Sequence, residues 1–337
     1  YIGISKLSFK MKRRTFIQNS LTVGLGATAL GSYALNNEHA SFLTSPYPMA
    51  GPFFKLSLAQ WSLHKAIQNG KLNPYDFAAK ASELGFDGIE YVNQLYVDVM
   101  KTKNKSAALK KFIATSNAKA KEHAVENVLI MIDGEGDLAV RSTRKRTKAI
   151  ENHKVWIETA ASMGCHSIRI NLFGEKKQEE WKDYSADSMR KLGEYSASYK
   201  VNILVENHGY LSSNAKLVME MLDQVNLPNC GTLPDFGNFC LEREGGARWG
   251  AKCIREYDRY QGVEELLPRA FAVSAKSHDF DEAGNEIHTD YLQMLTLVKE
   301  SGYSGFIGVE YEGEKLSEIE GILATKKILL EKAKQLV

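Results

Sequence analysis

The chain reads as a single α/β unit that closes into a (β/α)8 barrel, and three observations predict this. Short apolar runs alternate with helical patterns eight times after Pro52. Eight strand–helix units fit in the roughly 250 residues that one such barrel occupies. No GxGxxG or GxxxxGK loop follows an early strand, as an open doubly wound sheet would want.

The first strand is expected at Lys55–Gln60, ahead of a helix at Tyr75–Leu84. Leu84 to Gly88 then leads into the second strand, Gly88–Val92, with Gly85 suited to a helix C-cap and tight turn. A helix near Ala107–His123 precedes the third strand, Asn127–Ile132, which ends in Asp133-Gly134. Helix Thr147–Met163, with basic Arg141–Lys148 as its solvated start, closes at Gly164 before the fourth strand, Ser167–Leu172. Helix Glu179–Tyr199 leads into the fifth, within the stretch VNILVENHGY. That run is apolar from Val201 to Val205 except at Asn202, then abruptly polar. Apolar side chains on both faces suit a parallel strand covered by helices. Helix Asn214–Gln224 precedes the sixth strand, Gly231–Leu233, which ends in PDFGN. A helix near Gly262–Leu267 precedes the seventh, Ala270–Ala275, and helix Asp290–Ser301 the eighth, Phe306–Glu310. A terminal helix follows at Ser317–Gln335.

In a barrel the carboxyl ends of all strands converge on one mouth. Here they carry Gln60, Trp61 and His64, then Glu90, Tyr91 and Asn93, then Asp133, Arg169 and Asn171. The second half supplies Glu206, Asn207, His208, Asp235, Asn238, Ser274, Lys276, His278, Glu310 and Glu312. One acid at a strand end is ordinarily just solvated; the recurrence carries the signal. So many carboxylates around one cavity repel unless a cation or protons compensate. Hard oxygen ligands, with an imidazole among them, suit a divalent metal.

The segment before Pro52 has another character. Met11 opens MKRRTFIQNSLTVGLGATALGSYAL, where Arg13-Arg14 precede a mildly apolar run rich in Gly, Ala and Thr. This is the layout of a twin-arginine signal. Residues 1–51 are therefore expected to be leader and signal, residues 52–337 the catalytic barrel, and the periplasm the destination. Leu21–Leu35 is too short and glycine-rich for a stable membrane anchor. A net charge of +2 with scattered Lys and Arg predicts no nucleic-acid partner. Cys165, Cys230, Cys240 and Cys253 form no CxxC pair, which argues against a zinc ribbon. Buried free thiols are the expectation, although export permits disulfides. The oligomeric state is left open, with a homo-oligomer compatible.

The acids in VENHG, LPDFGN and IGVEYEG, with the lysine of AVSAKSHDF between them, resemble the xylose isomerase-like TIM barrels in order and position. More narrowly the chain is similar, from about Lys55 to its end, to the sugar phosphate isomerase/epimerase family, which includes ketose 3-epimerases and inosose-processing enzymes. The resemblance implies one divalent metal (Mn, Mg, Co or Zn) held by Glu206, Asp235 and Glu310. The family's histidine, two residues before the lysine, is Ser274 here; His278 and His208 are the candidates to replace it. It also implies a small carbohydrate substrate whose carbonyl and adjacent hydroxyl bind the metal. Glu206 and Glu310 would move the proton on its two faces and Lys276 neutralise the oxyanion, with Gln60, Trp61, Arg169, Asn171 and His208 holding the sugar. The expected activity is isomerisation or epimerisation of a free sugar or sugar derivative through an enediolate. Two alternatives stand beside it. One is cleavage of 3-keto-glycosides, which begins with the same proton abstraction. The other is a barrel that binds sugar without turnover, which Ser274 at the histidine position favours.

Overall fold

The structure, a computed structural model, describes residues 51–336. The twin-arginine segment lies outside the described residues. Six strands run in order around the sheet: β1 (Lys55–Ala59), β2 (Gly88–Val92), β3 (Glu126–Met131), β4 (Ser167–Ile170), β5 (Asn202–Glu206) and β6 (Cys230–Leu233). An antiparallel hairpin of β7 (Cys240–Arg243) and β8 (Cys253–Glu256) then interrupts the alternation. β9 (Val273–Ser277) and β10 (Phe306–Tyr311) complete the barrel, β10 returning to pair in parallel with β1. The last seam, between β6 and β9, closes through single parallel bridges, Thr232 with Ala270 and Asp235 with Ser274. At the second of these Phe236 N donates to Ser274 O over 3.0 Å, and Ser274 N to Pro234 O over 2.9 Å. The eight-stranded (β/α)8 barrel read from the alternation is the observed fold.

Helices form where a polar cap meets an amphipathic run, and they cover the outside of the sheet. Asn104, Ser142, Asn214, Asp258, Asp290 and Ser317 each accept a hydrogen bond from the first turn of the helix they precede. Gly164 ends the helix Thr143–Met163 at φ +75°, a left-handed conformation that suits glycine. The buried faces of these helices include Trp156, Met189, Leu192 and Met221, set against strands that are themselves almost wholly buried. Among the described residues no helix is long and apolar enough to cross a membrane.

Two expectations need correction. Arg146, in the basic stretch taken as solvated, is buried and pairs with Asp187 over 3.0 Å, because the helix begins at Thr143 and turns that position inward. Cys165 and Cys230 are buried free thiols as expected, but Cys240 and Cys253 are joined in a disulfide. The hairpin pairing is what brings these two together.

Candidate active site

Side chains alternate along a strand, so residues two apart share a face. This places Ser274 and Lys276 of β9 beside Gly308 and Glu310 of β10, with Lys276 directly opposite Glu310. Glu206 ends β5, and Asp235 stands two residues beyond β6. One carboxylate oxygen from each of Glu206, Asp235 and Glu310 lies within 4.8 Å of the others, and all three residues are buried.

Each acid is aimed by its neighbours. Asn207 clamps the backbone of Asp235: its Nδ2 donates to Asp235 O over 2.9 Å and its Oδ1 accepts from Asp235 N over 2.7 Å. The PDFGN turn then supplies the N–H groups of Gly237 and Asn238, each 2.8 Å from Asp235 Oδ1. Oδ2 is thereby left to face Ser274 Oγ at 2.7 Å, and the same hydroxyl is 3.0 Å from Glu310 Oε2. A hydroxyl carries one proton, so it donates to only one of these carboxyls at a time. Burial, opposed by Lys276 and reinforced by Glu206, raises Glu310 to about 8, and burial likewise raises Glu206 and Asp235. Without a cation, the cluster relieves its repulsion by holding protons.

Two buried cations flank the acids. Lys276 Nζ lies 2.5 Å from Glu312 Oε1, 3.5 Å from Glu310 Oε1 and 3.9 Å from Asp235 Oδ2. Burial alone would lower its pKa, but Glu310 and Glu312 outweigh that and hold it well above the usual lysine value. The reverse balance holds Glu312 down at about 2: burial would raise it, and the charge and hydrogen bond of Lys276 prevail. Arg169 Nη1 meets Asp133 Oδ1 at 3.1 Å, and its Nε lies 2.8 Å from Glu206 Oε2. That second contact is an ion-pair distance without hydrogen-bond geometry, so Glu206 Oε2 is buried with no hydrogen-bond partner.

A relay of amides fixes the state of His208. Asn171 Nδ2 donates to Asp133 Oδ1 over 2.6 Å, which turns Asn171 Oδ1 toward His208 Nδ1, also at 2.6 Å. Burial, with the nearby charges of Arg169 and Lys276, lowers His208 to about 3, so the ring is neutral. Its proton therefore sits on Nδ1 and leaves Nε2 as an acceptor. Asp133, Arg169, Asn171, His208, Lys276, Glu310 and Glu312 line a cavity of about 830 Å3 at the carboxyl ends of the strands, with Glu206 and Asp235 buried beside Glu310.

The cluster fits a divalent cation. Three buried carboxylates with a hydroxyl among them are a hard, all-oxygen donor set. Glu206 Oε2, which has the charge of Arg169 beside it but takes no hydrogen bond, keeps capacity to bind such an ion.

Residues 78–332 match the family model described as xylose isomerase-like TIM barrel. The chain belongs to this family. Among solved structures, a 3-keto-D-glucoside 4-epimerase from E. coli is similar, with a TM-score of 0.61 and 13% identity over 82% of this chain and 98% of that one. The IOLI protein, solved with a zinc atom, gives 0.60 and 16% identity over 84% and 99%. At these identities the likeness concerns the fold. Among curated proteins, the C-glycoside deglycosidase alpha subunit of Arthrobacter globiformis is 33% identical over 55 residues, spanning 16% of this chain and 16% of that relative.

Within the xylose isomerase-like barrel, the residues expected from sequence divide. Glu206, Asp235 and Glu310 come together, with Lys276 and Arg169 against them, and Trp61, Asn171, His208 and His278 line the cavity that Glu310 reaches. His278 is not part of the acidic cluster: β9 ends at Ser277, and the His278 N–H is taken by Glu286 Oε1 at 3.2 Å, away from the strand phase. Gln60 does not reach the cavity. Its amide donates to Tyr96 Oη over 2.9 Å and accepts from Val92 N over 3.0 Å, holding loops beneath the mouth. Asp133 pairs with Arg169, and Glu90 sits inside the barrel on Ser57 Oγ at 2.6 Å. Sequence reasoning assigned no role to Glu312, Phe173, Arg248 or Trp249, all of which line the cavity. Glu312 was visible as the next alternate residue after Glu310. The others lie on or beside the hairpin, for which the cysteine pair was the only signal.

Proposed function

We propose that this chain is a metal-dependent sugar isomerase or epimerase that removes a proton from the carbon beside a carbonyl and returns it. The observation that carries this reading is the buried triad Glu206, Asp235 and Glu310, of which Glu310 lines a cavity large enough for a sugar. Glu206 and Glu310 belong to β5 and β10, with Asp235 between them in strand order, so two carboxylates can approach one carbon from different sides. Epimerisation needs that arrangement, one group taking the proton and the other returning it. Lys276 stays charged and offsets negative charge gathering on the substrate oxygens. Arg169 is pinned by Asp133 and Glu206, and neutral His208 offers Nε2 to a sugar hydroxyl. A divalent cation held by Glu206, Asp235 and Glu310 would stabilise the enediolate oxygen.

The twin-arginine pattern supports export to the periplasm, and we infer from it a free sugar or glycoside rather than a phosphorylated one. A second reading, lysis of a 3-keto-glycoside, is favoured by the short match to a deglycosidase subunit. In that reaction the proton leaves the carbon between the keto group and the anomeric carbon, and its electron pair expels the glycosidic substituent. Glu206→Gln tests both readings. Turnover is expected to fall by roughly 10²–10⁴-fold with the fold intact by circular dichroism; unchanged turnover would remove Glu206 from the chemistry.

A further inference from the structure

We propose that the hairpin β7–β8 builds a second recognition subsite, in which Trp249 packs against the ring attached to the reacting sugar. This rests on the carbohydrate reading above and narrows the substrate to a glycoside, with a second sugar or an aromatic group beyond the glycosidic bond. The hairpin is an insertion between two barrel strands, crossed from the base of β7 to the loop end of β8 by the Cys240–Cys253 disulfide. Its loop is tied to the mouth at two places. Tyr210 Oη donates to Ala247 O, with Gly246 O its alternative acceptor at 3.3 Å. Arg248 grips Asp137 through two contacts of 3.4 and 3.2 Å, with its guanidinium 4.7 Å from the centre of the Phe173 ring. The loop therefore bridges the segments that follow β3, β4 and β5.

Held this way, Trp249 remains 47% exposed. Its ring meets His208 at 4.8 Å and Phe173 edge-on at 5.7 Å, and it lines the same cavity as Glu310 and Lys276. A large apolar ring left half in water at a cavity rim, on a loop braced by a disulfide and an ion pair, is placed to cover something apolar and flat. The C–H face of a pyranose and an aromatic ring both qualify. His208 joins the two regions, since one side of it meets Asn171 in the acid–amide relay and the other meets Trp249. Arg243 also lines the cavity and offers donors to ring substituents. A volume of about 830 Å3 accommodates two rings.

The test is calorimetric titration of the full chain with phenyl β-D-glucopyranoside, methyl β-cellobioside and methyl β-D-glucopyranoside. None carries a keto group or a free anomeric centre, so binding is read without turnover. The phenyl glucoside and methyl cellobioside are expected to bind about tenfold more tightly than the methyl glucoside. Trp249→Ala should erase that advantage and leave methyl glucoside affinity unchanged, while Trp249→Phe keeps most of it. The Cys240→Ser/Cys253→Ser double variant should reduce the same preference, with the barrel intact by circular dichroism. Equal loss for all three ligands in Trp249→Ala, or no preference in the unmodified chain, overturns the subsite. No binding of any glucoside, with deuterium still exchanged into free ketoses, overturns the subsite and leaves the proposed function standing. Neither binding nor exchange overturns both.

Discussion

Asp235 is aimed by groups that do no chemistry themselves, and that is where the site is most exposed to single changes. Asn207 supplies both hydrogen bonds that fix its backbone. Asn207→Ala should therefore weaken divalent-metal binding about 10–100-fold in a Mn2+ titration, although Asn207 is not itself among the clustered acids. Lys276→Met should be more severe. It leaves Asp235, Glu310 and Glu312 uncompensated in a buried site and should cost about 3–5 kcal/mol in urea unfolding. Glu90 gives a pH signature. Burial, reinforced by Glu206 and opposed by Ser57 and Arg169, raises its carboxyl from 4.5 to about 7. A raised folded-state value means stability fully present below about pH 4.5 and lost as pH climbs through about 7. Glu90→Gln should remove on the order of 3 kcal/mol of that decline, read from thermal unfolding at several pH values. The acids of the triad were visible as strand-end residues, and the resemblance to the barrel family singled these three out from the others there. His278 was misread because phase was carried past the end of β9, and Gln60 because a strand-end position says nothing about which loops will compete for its amide.

At the scale of elements, β10 and β2 share a constraint that neither shows alone. Gly308 lies where a Cβ would come within 2.5 Å of Glu90 Oε1, so the strand makes room for a buried carboxyl. Gly308→Ala should destabilise the barrel by about 1–3 kcal/mol in urea unfolding, and combining it with Glu90→Ala should recover part of that loss. Strands and helices were legible to within a few residues because apolar runs, polar caps and glycine stops agree. The hairpin was not. Its strands are short and polar, with charged Glu242, Arg243, Arg255 and Glu256 where alternation would have to show, and the pairing of Cys240 with Cys253 is set by a turn, not by hydrophobic pattern.

For the whole molecule, the closing seam and the candidate site coincide. One of the two bridges that join β6 to β9 runs between Asp235 and Ser274, one a proposed metal ligand and the other with its hydroxyl within hydrogen-bond reach of two of the acids. A cation bound there would brace the barrel at its weakest join. Adding a divalent ion at about a hundred times its dissociation constant should raise stability by roughly 2.7 kcal/mol, and a chelator should reverse the gain in thermal unfolding. The barrel was legible because eight repeats of one unit leave few other ways to bury their apolar faces. The chemistry proposed for it rests on the placement of its acids and on the family they resemble. The measurement that tests this most directly is uptake of deuterium from D2O into a panel of ketoses and 3-keto-glucosides, with the bound metal identified by elemental analysis. The account predicts a divalent metal on the protein and deuterium at the carbon beside the carbonyl, lost in Glu206→Gln. Metal-loaded protein that exchanges no deuterium into any of these sugars would contradict it.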